Sequence, residues 1–258
     1  MDIPIYVDRI HYTGNVKPDA QTLAGLQQAH MLTVPFENLD IGLKRPIRLD
    51  EASLWDKLIT RQRGGFCYEL NGLFGSLLTA IGFDVTHLNA RVFGGDGQPG
   101  IEFDHLALLV QVPGETERWL VDVGFGDSFI QPLNLNELNP QKQGLRAYRV
   151  EHTGTGLVIW QQDYDGSWEP QYTFDETPHI FPLEYEAACL YHQTSPDSPF
   201  TRKNIISRAT PEGRVSLETR RLIITEHGQR TERLFSDKAE YESLLKQYFG
   251  LGPSLLPS

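Results

Sequence analysis

Three residues of this chain have the types that acyl chemistry needs. Cys67 stands in "RQRGGFCYELNGLFGSLL", directly after two glycines and directly before a run that reads as helix. A cysteine in the first turn of a helix lies beside unpaired backbone N–H groups and the positive end of the helix dipole. Both favour a thiolate over a thiol, and the thiolate is the nucleophile. The same N–H groups can hold the oxyanion that forms when a sulfur attacks a carbonyl. A base is still required. His105 opens the apolar run "HLALLVQV", and Asp122 lies among apolar residues in "RWLVDVGFG". A carboxylate on one imidazole nitrogen fixes the tautomer and leaves the other nitrogen to take the thiol proton.

Hairpin geometry decides whether the two can meet. With residues 113–116 as the turn, His105 falls across from Gly124 and Ala107 across from Asp122. Side chains alternate between faces, so His105 and Asp122 become diagonal neighbours on one face. A one-residue change of register would separate them. Asp104 would point to the opposite face, and Asp127, in the following glycine loop, is the second choice of carboxylate. Plainer roles fit the same residues. Free cysteines often pack as small hydrophobes, the reading given to Cys189. His105 and Asp122 can also be a buried hydrogen-bonded pair and nothing more. The other seven histidines read as surface or packing residues.

These residues need elements to carry them. Asp19 is placed to cap a helix through "AQTLAGLQQAHML", and "DEASLWDKLIT" offers a second. A third starts near Cys67, where Leu70, Leu73, Phe74, Leu77, Leu78 and Ile81 recur at helical spacing until Gly82. From residue 84 the period becomes that of strands: "DVTHLNARVF", "HLALLVQV", "RWLVDVGF", "AYRVEHT" and "GLVIWQQDY". A mostly antiparallel sheet or barrel follows. "YHQTSPDSPFTRKN" reads as a long polar loop, and "RVSLETRRLIITEHGQRTERLF" as a hairpin turning at His227-Gly228. A last helix, capped by Ser236 and stopped by Gly250, presents Tyr241, Leu244, Leu245 and Tyr248 on one face.

Composition narrows the function classes. The chain has 258 residues, 40% hydrophobic and 22% charged, and its net charge of −11 is spread along its length. A nucleic-acid binder would show a basic face, so nucleic acid is not an expected partner. No window approaches the roughly 18 apolar residues of a membrane span. The N-terminus lacks the basic and apolar regions of a secretory signal, which makes the cytoplasm the expected location. Two cysteines make no disulfide framework. The histidines show no metal-ligand spacing, so no metal is expected.

"RGGFCYELNGLF", "FDHLALLV" and "LVDVGFGDSF", in that order, with "VPFENLDI" upstream and "HQTSPDSPF" further on, resemble the arylamine N-acetyltransferases. The resemblance runs from about residue 30 to 205. It implies an α+β multi-domain fold: a helical bundle like that of papain-type cysteine enzymes, a central antiparallel β-barrel and a C-terminal α/β lid. The expected divisions are 1–83, carrying the nucleophile, 84–190, carrying histidine and aspartate, and 191–258. The family's catalytic trio falls on Cys67, His105 and Asp122. The implied reaction moves an acetyl group from acetyl-CoA, a co-substrate rather than a bound cofactor, to an arylamine, a hydrazine or an N-hydroxyarylamine. It runs in ping-pong fashion through acetyl-Cys67. Phe36 and Phe125 match positions lining the acceptor pocket, while Gly124 and Gly126 let the backbone approach closely, either to the pantetheine arm or in a plain strand-end turn. Arg63 and Glu37 read as a buried ion pair behind the Cys67 loop. Arg202, Lys203 or Arg208 could meet the coenzyme's diphosphate. Two other readings stay open: an amide synthase or thiol hydrolase using the same trio, and a non-catalytic fold that binds coenzyme A or aromatic ligands.

Overall fold

The computed structural model describes residues 1–252. Helices occupy the first third. α1 (Ile3–Arg9) and α2 (Ala20–Thr33) come first, and the carboxylate of Asp19 accepts the Thr22 N–H at 2.7 Å to cap α2. The two-residue strand β1 (Phe36–Glu37) and the single turn α3 (Leu39–Gly42) follow. α4 (Glu51–Trp55) runs directly into a π turn over Asp56–Thr60. α5 (Cys67–Ile81) is the centre of this part. Leu70, Leu73, Phe74, Leu77 and Leu78 are all fully buried. A helix apolar on most sides belongs inside the core, and Gly82, at φ 109°, ends it.

Eight strands follow: β2 (Asp84–Val92), β3 (His105–Gln111), β4 (Arg118–Val121), β5 (Leu133–Asn134), β6 (Gln141–Gln143), β7 (Arg146–Thr153), β8 (Gly156–Gln162) and β9 (Trp168–Phe174). They pair antiparallel in the order β5-β4-β3-β2-β9-β8-β7-β6. The side chain of Gln141 accepts from Asn134 N and donates to Asn134 O, so the two edge strands meet and the barrel nearly closes.

The remainder is α6 (Glu186–Thr194), α7 (Pro199–Arg202), β10 (Ile205–Thr210), β11 (Gly213–Glu218), β12 (Arg221–Glu226), β13 (Gln229–Leu234) and α8 (Lys238–Phe249). β1 joins β10–β13 as the first strand of a second antiparallel sheet. One face of that sheet packs Ile206, Val215, Leu217 and Leu222 against Tyr241, Leu244, Leu245 and Phe249 of α8. The α+β architecture is the one expected.

Local readings needed correction in several places. β9 and β10 were not legible as strands. In β9, Pro170 and polar residues obscure the alternation, and the pairing with β8 is irregular at Ile159/Trp160. The stretch expected as a long polar loop holds the end of α6 and all of α7. The expected single hairpin is three strands: the turn at His227-Gly228, both at positive φ, is real, and a second tight turn lies at 219–220, where no glycine marks it. Asp237, not Ser236, caps α8, because its carboxylate accepts the Ala239 N–H at 2.9 Å.

Candidate active site

Cys67 is the first residue of α5 and only 3% exposed. The turn that delivers it is held by charge. Glu69 Oε2 accepts the Phe66 N–H at 3.0 Å, and the same carboxylate takes two hydrogen bonds from Lys57 Nζ, at 2.7 and 3.0 Å. Lys57 also reaches Asp40 at 2.9 Å. Arg63 binds Asp40 and Glu37, each at 2.6 Å, which confirms the expected Arg63–Glu37 pair. The glycines before Cys67 serve by close approach rather than by left-handed backbone. A Cβ on Gly64 would lie 2.0 Å from the Pro35 carbonyl.

The β3–β4 hairpin keeps the expected register. Leu108 faces Val121 and Gln111 faces Arg118. Continuing that pairing sets Ala107 against Asp122, one residue past the end of β4, and His105 against Gly124. His105 Nε2 and Asp122 Oδ2 are 2.7 Å apart, and both residues are buried. Asp127, the second choice, does not join them: it binds Arg146 at 2.6 Å and Arg214 at 3.0 Å. Asp104 lies 3.0 Å from His192 Nε2 instead.

Two side chains complete the cluster that sequence reasoning missed. Asn71 Nδ2 donates to Asp122 Oδ1 at 2.8 Å and to Leu106 O at 2.5 Å, while its Oδ1 accepts the Val123 N–H at 2.9 Å. Asn71 therefore ties α5 to both strands of the hairpin. Its signal was available, since it lies four residues after Cys67 and so on the same helix face. Tyr172 OH donates to Asp122 Oδ2 at 3.1 Å from β9, the strand that was not legible. The Gly124 N–H, at 2.8 Å, is the fourth donor to this carboxylate.

The electrostatics follow from these contacts. Burial alone would push the Asp122 carboxyl up. The His105 charge and hydrogen bonds from His105, Asn71 and Gly124 outweigh it and hold the group below its ordinary value. Burial pushes the Tyr172 hydroxyl well up, with Asp122 adding to the effect, so Tyr172 stays a donor. For Cys67 the expectation of a lowered thiol fails. Burial pushes it well above its ordinary value, and the hydrogen bond from Leu106 backbone does not compensate. Its proton therefore needs an acceptor inside the site.

Cys67 and His105 open onto one cavity of about 440 Å³. Phe36 and Phe125 are both in its wall, with Phe200 6.0 Å from Phe36 and His105 5.3 Å from Phe125 between ring centroids. Phe200 and His192 line it too, although neither was singled out. Gly126, at φ 94°, faces the cavity. Gly124 also borders it, but the space its side chain would take is filled by the protein: a Cβ there would lie 2.7 Å from Cys67 Cα. The far wall is the free face of the second sheet. Ile205 and Ser207 of β10, Arg214, Ser216 and Glu218 of β11, and Ile223 and Thr225 of β12 point into the cavity at every second position. Of the expected diphosphate cations, Lys203 lines this cavity, Arg202 binds the carbonyls of Asp197 and Ser198, and Arg208 borders a different cavity.

Comparison with known proteins agrees over nearly the whole chain. A family model for N-acetyltransferases matches residues 19–254. An arylamine N-acetyltransferase of Mycolicibacterium smegmatis is 34% identical over 97% of this chain and 92% of its own length. A proansamycin X synthase of Amycolatopsis mediterranei is 30% identical over 95% of this chain and 96% of its own. The solved structure of Mycobacterium marinum arylamine N-acetyltransferase in complex with CoA matches with a TM-score of 0.90 at 33% identity, covering 96% of this chain and 92% of that one.

Proposed function

Because the chain belongs to the arylamine N-acetyltransferase family, we propose that it moves an acetyl group from acetyl-CoA to the nitrogen of an arylamine or hydrazine by way of acetyl-Cys67. One observation carries the reading: a buried cysteine at a helix N-terminus and a carboxylate-bound histidine face the same aromatic-walled cavity. In this mechanism Asp122 and its donors hold His105 by Nε2, leaving Nδ1 for the Cys67 proton. The thiolate attacks the thioester carbonyl. The backbone N–H groups of Cys67 and Tyr68 precede the first intrahelical bond, from Glu69 N to Phe66 O, and are the donors for the oxyanion. The C–S bond to coenzyme A breaks, and the leaving sulfur takes the proton from His105. The amine then attacks acetyl-Cys67 and gives its proton to His105, and the Cys67 thiolate leaves. Phe36, Phe125 and Phe200 supply flat apolar walls for an aromatic acceptor and keep water from the acetyl-enzyme.

Gly126 gives the pantetheine arm a side-chain-free approach, and Lys203, Arg214 and Arg230 in the cavity wall are the cations for the diphosphate. A cytoplasmic location fits two buried free thiols, and among the described residues no helix is long and apolar enough to cross a membrane. The test is mass spectrometry of the protein mixed with acetyl-CoA. One acetyl group on Cys67, discharged by an added arylamine and absent in Cys67→Ala, is the expected result. Full turnover by Cys67→Ala would overturn the reading.

A second reading, amide formation from another acyl donor with the same residues, is favoured by the similarity to the proansamycin X synthase. A panel of acyl donors separates the two. Cys67 that resists acetyl-CoA but is loaded by another activated acyl group supports the second.

A further inference from the structure

A second cavity, of about 490 Å³, shares no lining residue with the cleft that holds Cys67. Its wall carries Arg9, Arg45, Arg61, Arg63 and Arg208, with His11 beside them, and no carboxylate among the described residues. In a chain of net charge −11 this is a local reversal of sign. Three of the five arginines have acidic partners outside the cavity: Arg61 with Asp56, Arg63 with Glu37 and Asp40, and Arg45 with Asp40.

Arg9 and Arg208 differ. Arg9 donates to the carbonyls of Leu58, Gln62 and Arg63, and Arg208 to that of Tyr248. Among the described residues neither has a carboxylate within salt-bridge distance. The carbonyls lie near the ends of the π turn and of α8, where a cation is favoured, but a helix end offers only about half a charge. Arg208 Nε is buried with no partner. Burial holds both guanidiniums below their ordinary values, and for Arg9 the neighbouring Arg208 charge adds to it. Two positive charges thus line one cavity with no carboxylate partner among the described residues.

We propose that this cavity binds a small anion of two or more negative charges, carried on phosphate or carboxylate groups. A dianion matches these two guanidiniums, which lack a carboxylate among the described residues: Arg208 has Nε without a partner, and Arg9, whose Nε and Nη2 serve carbonyls, has Nη1. The volume falls within the range of about 300–1,000 Å³ typical of small-molecule pockets. Arg61 and Arg63 belong to the segment that leads to Cys67, so an occupant braces that segment from outside the cleft.

Calorimetric titration of the full-length protein with pyrophosphate and with citrate, at an ionic strength of about 0.15 M, tests this. Saturable one-site binding is expected, weakened about tenfold or more in Arg208→Gln and unchanged by saturating coenzyme A. Pyrophosphate alone would assign the site to phosphates, citrate alone to carboxylates, and both to charge. Each of these upholds the proposal. Absence of saturable binding by either anion overturns it, as does an affinity indifferent to Arg208→Gln or binding abolished by coenzyme A. Should Arg208→Gln not fold, Arg61→Ala takes its place, since the Arg61–Asp56 pair is exposed. The expected loss is then about threefold, and no loss overturns the proposal.

Discussion

On one side of Cys67, Asp122 gathers His105, Asn71, Tyr172 and the Gly124 N–H; on the other, Lys57 and Arg63 gather Glu37, Asp40 and Glu69. Both clusters are buried, and each has one member about a turn or less after Cys67 on α5, Asn71 in the first and Glu69 in the second. In the second cluster each of the five ions has an opposite charge within 4 Å. Three carboxylates meet two buried cations, with the half-exposed Arg45 reaching only Asp40, at 3.9 Å; burial, with Glu37 nearby, raises the Glu69 carboxyl in spite of Lys57. What this cluster does is hold backbone, through Phe66 N–H on Glu69 and Leu39 N–H on Glu37. In the first cluster one carboxylate is held by neutral donors and an imidazole, and His105 Nδ1 is left without a protein partner among the described residues. One cluster spends its charges on position. The other holds an imidazole at the cavity wall by one nitrogen.

That contrast makes rate and stability respond differently to substitution. Asp122→Asn should lower kcat/KM by about 10³–10⁴-fold, because an amide neither fixes the His105 tautomer nor favours its charged form. Steady-state kinetics with acetyl-CoA and an arylamine measure it, and a loss below tenfold would break the distinction. The same substitution has a pH signature. The Asp122 carboxyl is lower in the folded than in the unfolded chain, so its stabilisation is present above the unfolded value, about 3.9, and lost as pH falls through the folded one. Urea unfolding at pH 5 and in stronger acid should therefore show a smaller acid loss for Asp122→Asn than for the parent.

Lys57→Met should act the other way. Leaving Glu69 without a cation, and Asp40 with one fewer, costs about 3–5 kcal/mol, read as a shift of the urea midpoint. Turnover per folded molecule at low temperature should change by no more than a few-fold. A stable Lys57→Met protein that is inactive would place this cluster in the chemistry. Tyr172→Phe is the smallest step. It removes one of four donors to Asp122 and should cost about 1 kcal/mol of stability and at most tenfold in rate. A loss comparable to that of Asp122→Asn would mean that the hydroxyl, rather than the carboxylate, governs His105.

Cys67, His105 and Asp122 were legible because each obeys a short-range rule: a helix start, the start of a strand, a hairpin register. The α5 face from Leu70 to Ile81 and its glycine stop were legible for the same reason. What lay beyond reach depends on long-range packing. Tyr172 reaches Asp122 across fifty residues, from a strand whose alternation is broken by Pro170. Phe200 meets Phe36 only because the short helix α7 folds over the cleft edge. The raised Cys67 thiol also comes from tertiary burial, which a local reading of the helix N-terminus cannot see.

The wall built from β10–β12 has a consequence for descent. Its cavity residues alternate with Ile206, Val215, Leu217 and Leu222, which are committed to α8 on the other face. A lineage can therefore exchange Ile205, Ile223 or Thr225 one at a time, and Ser207 with Ser216 as a hydrogen-bonded pair, reshaping what the cleft accepts. The core beneath and the His105–Asp122 pair stay untouched. The strand period separates heritable variation in acceptor range from the parts that cannot vary.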